Sequence, residues 1–300
     1  MGAQKVITLV GPTAVGKTGF SVRLAKDIGG EIISADSRQA YRGLNIGTGK
    51  VTAEEMQGMP HHMLDVADPS HTFTAADFVK EGRAAIAAIA ARGRVPIIVG
   101  GTGFYIDALL GKVILADVPA NERLRDELRH KNAEELMAML QTLDPERART
   151  IDAKNRVRLV RALEIATELG FVPMQEPHTL YETLWIGLRL PSEELKQNIH
   201  TRLLARLQEN MLEEAKQLHE EGLSWERMYE LGLEYRSMAY HLTGTISYEE
   251  MLAQLEKEIV RYAKRQMTWF KRNKEINWFL PNEKDRIHTL VLEFLHGNNR

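Results

Sequence analysis

The sequence predicts an α/β protein, a parallel sheet covered by helices and interrupted by a mainly helical insertion domain. Three observations predict it. Through the first hundred residues short apolar runs alternate with helical patterns. A glycine-rich turn joins the first apolar run to the first helix. From about residue 117 the texture becomes charged and helical, and an apolar run returns near residue 184.

Val6–Val10 is a short apolar run ending at Gly11-Pro12, the pattern of a buried strand. A helix is expected from near Gly16 to the Gly29-Gly30 stop. Glu31–Ser34 reads as a second strand, Ala75–Arg92 as an alanine-rich helix ended by Gly93, and Val95–Gly103 as a third strand running into a glycine turn. Such alternation implies parallel strands. Residues 121–170 are charged, helical and poor in β-branched runs, and Phe171–Thr179, with two prolines, reads as a loop. Leu184–Leu190 is a further strand; helices resume over Ser192–Glu221 and Ser247–Lys274. The last twenty residues carry little signal. The expected division is a core of residues 1–116 and 181–300 around an insertion of residues 117–180.

Gly11-Pro12-Thr13-Ala14-Val15-Gly16-Lys17-Thr18 matches G-x-x-x-x-G-K-[ST] between a strand and a helix, the context in which that pattern is a phosphate loop. The expected core is therefore P-loop NTPase-like. Glycines let the backbone wrap closely and point several N–H groups at one phosphate. The helix N-terminus adds a favourable dipole. Lys17 adds a point charge, and the Thr18 hydroxyl suits Mg²⁺. The plain alternative is a glycine turn without a ligand. The pattern specifies a phosphate or diphosphate and does not specify ATP. P-loops usually work with an acidic Mg²⁺ ligand at the end of another strand. The third strand ends Val99-Gly100-Gly101-Thr102, with no acid, which counts against an ordinary ATPase.

The second strand ends Ser34-Ala35-Asp36-Ser37-Arg38-Gln39. Ligands of open α/β sheets bind at the carboxyl ends of strands, so Asp36 is expected beside the phosphate loop as metal ligand, hydroxyl-orienting group or proton acceptor. The alternative is a helix N-cap. On the late helix, Lys257, Arg261, Lys264, Arg265, Lys271 and Arg272 project within about 120° of one another, opposite Leu252, Leu255, Ile259, Tyr262, Ala263 and Phe270. A single-signed positive face suits a phosphate backbone or a diphosphate; the alternative is a solvated face. Arg156, Arg158 and Arg161 form a second, weaker basic cluster. Pro60-His61-His62 lacks a third metal ligand and reads as loop or core. The four tryptophans read as core or interface, and the twelve methionines are scattered.

Hydrophobic residues make up 44%, charged residues 27%, and the net charge is −2, so overall charge says nothing of nucleic acid. With no cysteine, disulfides and cysteine-held metals are excluded. No apolar run approaches the roughly 18 residues of a membrane span, and the run before Gly11 is too short for a signal-peptide core. A cytoplasmic protein away from membranes is expected.

The segments GPTAVGKT, ISADSRQAYRGLNIGTGK, PHHMLDVADP, IIVGGTGFY, RLVRALEI and AKRQMTWFKR occur in one order. In this set, spread over residues 5–280, the sequence resembles the tRNA dimethylallyltransferase (isopentenyltransferase) family. The resemblance implies a P-loop core whose helical insertion grips the tRNA anticodon stem-loop. A monomer with Mg²⁺ on Thr18 is expected, and the resemblance also implies transfer of a dimethylallyl group from dimethylallyl diphosphate to N6 of adenosine 37 of tRNAs reading codons that begin with U. It assigns Gly11–Thr18 to the donor diphosphate, Asp36 as general base, and Asp36, Ser37, Arg38 and Gln39 to the adenosine. Lys17, Thr102 and Arg125 join Asp36 in the catalytic set, with Thr102 touching tRNA; Arg125 is preferred to Arg123 as an arginine contact to tRNA. Asn155, Arg156, Val157, Arg158, Leu159 and Arg161 match a tRNA-binding helix, and Lys264, Arg265 and Lys271 of the basic face join them. The family's Gly-Tyr-Arg appears as Glu234-Tyr235-Arg236, and Arg236 is carried over as a diphosphate or tRNA contact. The rival readings are a P-loop small-molecule kinase, a prenyltransferase acting on free AMP or ADP, and a non-catalytic RNA-binding module.

Overall fold

The computed structural model describes residues 3–173 and 178–297. The chain forms two compact units, Met1–Val113 with Thr179–Arg300, and Ile114–His178.

The first unit begins with β1 (Lys5–Val10), α1 (Lys17–Ile28), β2 (Gly30–Ala35), α2 (Ala53–Met56), β3 (His61–His62), α3 (Ala75–Ala91), β4 (Val95–Gly100) and α4 (Gly103–Leu109). The second unit holds α5 (Glu122–Leu128), α6 (Ala133–Leu143), α7 (Pro145–Thr150) and α8 (Arg156–Leu169). The first unit then resumes with β5 (Glu182–Leu188), α9 (Ser192–Gln208), α10 (Met211–Glu220), α11 (Trp225–Leu231), α12 (Leu233–Leu242), α13 (Tyr248–Phe270), β6 (Asn277–Phe279) and α14 (Lys284–His296).

The six strands pair in parallel in the order β3-β2-β4-β1-β5-β6. β1 is central, with Ile7 in register with Ile97 on one side and Leu184 on the other. Val6–Val10 is wholly buried, as a strand covered on both faces must be. Alternation divides its side chains. Val6 and Val10 pack with Phe78, Ile86 and Ile106 of α3 and α4, while Ile7 and Leu9 pack with Phe20 and Leu24 of α1 and Ile287 and Val291 of α14. A third core, with Leu203, Met211, Met228, Tyr235, Met238 and Leu255, joins α9 to α13 as a helical layer. The second unit closes on its own core of Leu128, Leu136, Leu140, Leu159 and Leu163.

Several elements depart from the sequence reading. The Ser192–Glu221 stretch breaks at Asn210, which takes the left-handed conformation (φ 67°) between α9 and α10. His61 and His62, read as loop or core, form a two-residue edge strand against Ile32 and Ile33. The C-terminal segment, read as carrying little signal, contains β6 and α14. Of the expected Phe171–Thr179 loop, residues 174–177 lie outside the described residues, and the described flanks form no helix or strand. Among the described residues no helix is long and apolar enough to cross a membrane.

Candidate active site

A cleft of about 880 Å³ opens at the carboxyl ends of β1, β2 and β4. All its lining residues belong to the first unit. The loop after β1 supplies one wall. Gly11 adopts φ 150°, and a Cβ there would stand 2.5 Å from the Leu188 carbonyl oxygen, so this turn needs glycine. Lys17 Nζ donates to the carbonyls of Gly11 (2.9 Å) and Pro12 (2.7 Å), drawing the loop around its own charge. Burial first, then Arg202, lowers the Lys17 pKa from 10.5 to about 7, with Asp36 opposing. Thr13, Ala14, Gly16, Lys17 and Thr18 line the cleft. Three residues assigned to the donor do not. The Gly11 and Pro12 carbonyls face the lysine, and the Val15 side chain is in the hydrophobic core. These three build the loop's frame.

The turn after β2 supplies another wall. One oxygen of Asp36 accepts from the amides of Arg38 (2.9 Å) and Gln39 (3.3 Å). Asp36 thus closes a turn and caps no helix; it lines the cleft with Ser37, Arg38 and Gln39. Thr102 stands behind this wall, where its hydroxyl accepts from the Ser37 amide (3.2 Å). It buttresses the Asp36 turn, half-buried beside the cleft.

Three cleft groups lie beyond the site residues expected from the sequence. On α9, Asn198, Arg202 and Arg206 recur every four residues, on one helical face that lines the cleft. That spacing was the available signal. On α13, Gln266 accepts from the Thr13 amide (2.8 Å) and donates to the Gly101 carbonyl (3.1 Å), tying the phosphate loop to the end of β4. Tyr262 also lines the cleft; burial first and Asp36 second push its phenol up, so it stays protonated. Glu234, at the position of the family's glycine, pairs with Arg206 at 3.3 Å, and Arg236 lines the cleft with its Nε bound to the Tyr229 carbonyl (3.0 Å).

The basic face of α13 and of the turn that follows it is solvent-facing. Lys257, Arg261, Lys264, Arg265, Lys271 and Arg272 are exposed, and among the described residues none of them pairs with a carboxylate. Arg261 and Arg265 reach the cleft, whereas Lys264 and Lys271 lie outside its lining.

Within the second unit, Asn155 caps α8 by accepting from the Arg158 amide (3.2 Å). Arg156 donates to the carbonyls of Leu128 (2.7 Å), Arg129 (2.6 Å) and Lys131 (3.1 Å), closing the end of α5. Arg125 and Arg161 both bind Glu164, at 2.7 and 3.1 Å, while Arg123 pairs with Glu127. Burial pushes the Glu164 carboxyl up, but the Asn121 amide and the two guanidiniums outweigh it and hold it below its usual range. Leu159 is fully buried, so its side chain is core and not an RNA contact. Val157 (78% exposed) and Arg158 face solvent.

The paired histidines are engaged by other partners. His62 Nε2 meets Glu31 at 2.8 Å beside the Arg92–Glu31 pair, and His61 meets the Met59 carbonyl. Among the described residues no three His, Cys, Asp or Glu side chains cluster as a metal cage. Mg²⁺ does not need one, since it binds through one or two hard protein oxygens, substrate phosphates and water. Thr18, which lines the cleft, carries one such oxygen in its hydroxyl.

Residues 39–273 match the family model described as IPP transferase. The chain is 38% identical to the tRNA dimethylallyltransferase of Anoxybacillus flavithermus, over 98% of this chain and 96% of that one. The tRNA isopentenylpyrophosphate transferase of Bacillus halodurans superposes with a TM-score of 0.75 at 37% identity, covering 98% and 97%. A eukaryotic dimethylallyltransferase, solved acting on tRNA, superposes with a TM-score of 0.85 at 26% identity, covering 98% of this chain and 80% of that one.

Proposed function

The chain belongs to the IPP transferase family, and from that premise we propose that it transfers the dimethylallyl group of dimethylallyl diphosphate to N6 of adenosine 37 in tRNAs reading codons that begin with U. It acts in the cytoplasm, as a monomer. The observation that carries this reading is one cleft lined together by a phosphate loop, by Arg202 and by a carboxylate, Asp36.

The donor's diphosphate lies on the Thr13–Thr18 loop, where the amides and Lys17 supply positive charge. Arg202 adds a second cation beside Lys17. The adenine amine attacks C1 of the dimethylallyl group as the C–O bond to the diphosphate breaks, and the diphosphate leaves with that electron pair. The amine's surplus proton passes to Asp36, whose turn is fixed by the Arg38 and Gln39 amides and by Thr102. Charge gathers on the leaving diphosphate, where preorganised cations are worth most. Thr18 would hold Mg²⁺, which supplies further charge neutralisation there. The target base must leave its stack to reach the cleft. The exposed Val157 and Arg158 of α8 and the face with Lys264, Arg265 and Lys271 serve the tRNA. Arg125 serves it indirectly, by holding α5 to Glu164.

Purified protein with labelled dimethylallyl diphosphate, Mg²⁺ and unmodified tRNA is expected to label tRNA carrying adenosine at position 37. Equal label in free AMP, or consumption of ATP alone, overturns the reading. Asp36→Ala is expected to lower turnover by about 10²–10⁴ with tRNA affinity nearly intact. Lost binding with normal residual chemistry removes Asp36 as base.

A further inference from the structure

Behind the cleft wall, the Glu214 carboxylate of α10 accepts four hydrogen bonds. The consecutive amides of Asn45 (3.1 Å), Ile46 (2.7 Å) and Gly47 (2.9 Å) donate three, and the Tyr235 hydroxyl donates the fourth at 2.7 Å. Three successive N–H groups aimed at one anion make a backbone nest. Here the anion is the protein's own, and it is held by a phenol that is 2% exposed. Glu214 does not line the cleft.

The loop fixed in this way reaches the cleft through its carbonyls. The Gly47 carbonyl accepts from Arg206 Nη1 (2.9 Å), and the Gly49 carbonyl from Arg202 Nη2 (3.0 Å) and Gln39 Nε2 (3.2 Å). Both arginines and Gln39 line the cleft. The packing leaves no room for other side chains. A Cβ on Gly47 would stand 2.7 Å from the Tyr235 ring; one on Gly49, whose φ is +58°, would stand 2.3 Å from the Arg202 guanidinium.

An arginine side chain has several free torsions, and fixing them costs entropy unless a rigid acceptor does so before the ligand arrives. We propose that Glu214, with Tyr235, is a positioning residue for the donor's diphosphate. It clamps loop 45–49, whose carbonyls hold the Arg202 and Arg206 guanidiniums in the cleft. This rests on the phosphate-site reading above and adds the part of the molecule that presets its cations.

The test is titration of the full chain with inorganic diphosphate in the presence of Mg²⁺. Glu214→Gln is expected to weaken diphosphate binding by about tenfold, and Tyr235→Phe, which removes one of the four donors, by about threefold. In an Arg202→Ala background the same Glu214→Gln change is expected to cost about threefold or less, because the two residues act through one chain of hydrogen bonds. In steady state both single variants lower kcat/KM for dimethylallyl diphosphate by at least these factors and leave the KM for tRNA unchanged. A general loss of structure would disturb both substrates. If Glu214→Gln does not fold, Tyr235→Phe with and without Arg202→Ala makes the same comparison. Unchanged binding in the folded single variants, or an undiminished effect in the Arg202→Ala background, overturns the clamp and leaves the phosphate site standing. Absence of diphosphate binding by the unaltered protein overturns both.

Discussion

The Lys17 ammonium sits among loop carbonyls with Arg202 nearby, and its pKa is lowered to about 7 from an ordinary 10.5. A cationic group lowered by folding penalises the folded state where it must be charged. Below about pH 7 both states carry the proton and the penalty is full. Between 7 and 10.5 the unfolded chain binds more protons than the folded one, so stability rises with pH until the penalty is gone. Lys17→Met is therefore expected to raise the melting temperature of the ligand-free protein by about 2–4 °C at pH 6, with the gain vanishing towards pH 10, and to abolish diphosphate binding. A lower melting temperature at pH 6 would refute this. Diphosphate restores the proton to the lysine, so at pH 8 binding should take up about one proton, seen as a dependence of the calorimetric heat on the buffer's ionisation enthalpy. Lys17 and Asp36 were legible in the sequence because each follows a strand end within a few residues. Gln266 was not, because its partners Thr13 and Gly101 are distant in sequence and only the fold brings them together.

Among the elements, α13 shows how a helix serves two faces. Leu255, Ile259, Ala263 and Phe270 are buried, the basic residues are exposed, and this division follows directly from the spacing. Which cations reach the cleft does not follow from spacing, since Arg261 and Arg265 do and Lys264 does not. Changing Lys264, Arg265 and Lys271 together to alanine is expected to weaken tRNA binding and to flatten its log–log salt dependence by about 2–3, as each side chain neutralises about one phosphate. An unchanged slope makes them a solvated face. In the second unit α5 and α8 are joined by Glu164, fully buried between Arg125 and Arg161. Glu164→Gln should cost about 1.5–3 kcal/mol in that unit, as charge-assisted bonds disappear while both guanidiniums keep solvent access. Because folding holds this carboxyl below its usual range, that stability is present above pH ~5 and fades as pH falls through the folded value. Denaturant unfolding of the two proteins at pH 7 and pH 3 checks this, and equal stabilities at pH 7 would refute it. The shorter elements were less legible. β3 has two residues, and α11 and α12 are separated only by Gly232. In α14, Ile287, Leu290, Val291 and Phe294 do follow a helical period, so its signal was present in the segment read as uninformative.

At the scale of the whole molecule, alternating strands and helices made the parallel class legible, but not the order β3-β2-β4-β1-β5-β6, which depends on crossovers that no local pattern encodes. The change of texture after residue 117 marks a second unit that closes on its own core and contributes no side chain to the cleft. The chain leaves the first unit after Val113 and returns at Thr179, and the Leu180 amide bonds back to the Leu110 carbonyl at 3.4 Å, so departure and return are adjacent on the core. A short loop can therefore replace the segment at small entropic cost. Replacing residues 114–178 with a glycine-rich linker of about six residues should leave a core that unfolds cooperatively and binds diphosphate within about threefold of the full chain. Transfer to tRNA should fall by more than about a hundredfold, because specificity for an RNA loop needs a surface beyond the reacting base. Calorimetric titration with diphosphate and the labelled-donor assay separate the two outcomes. Retained diphosphate binding without tRNA labelling assigns donor chemistry to the first unit and RNA capture to the second, while a folded core that no longer binds diphosphate would refute that division.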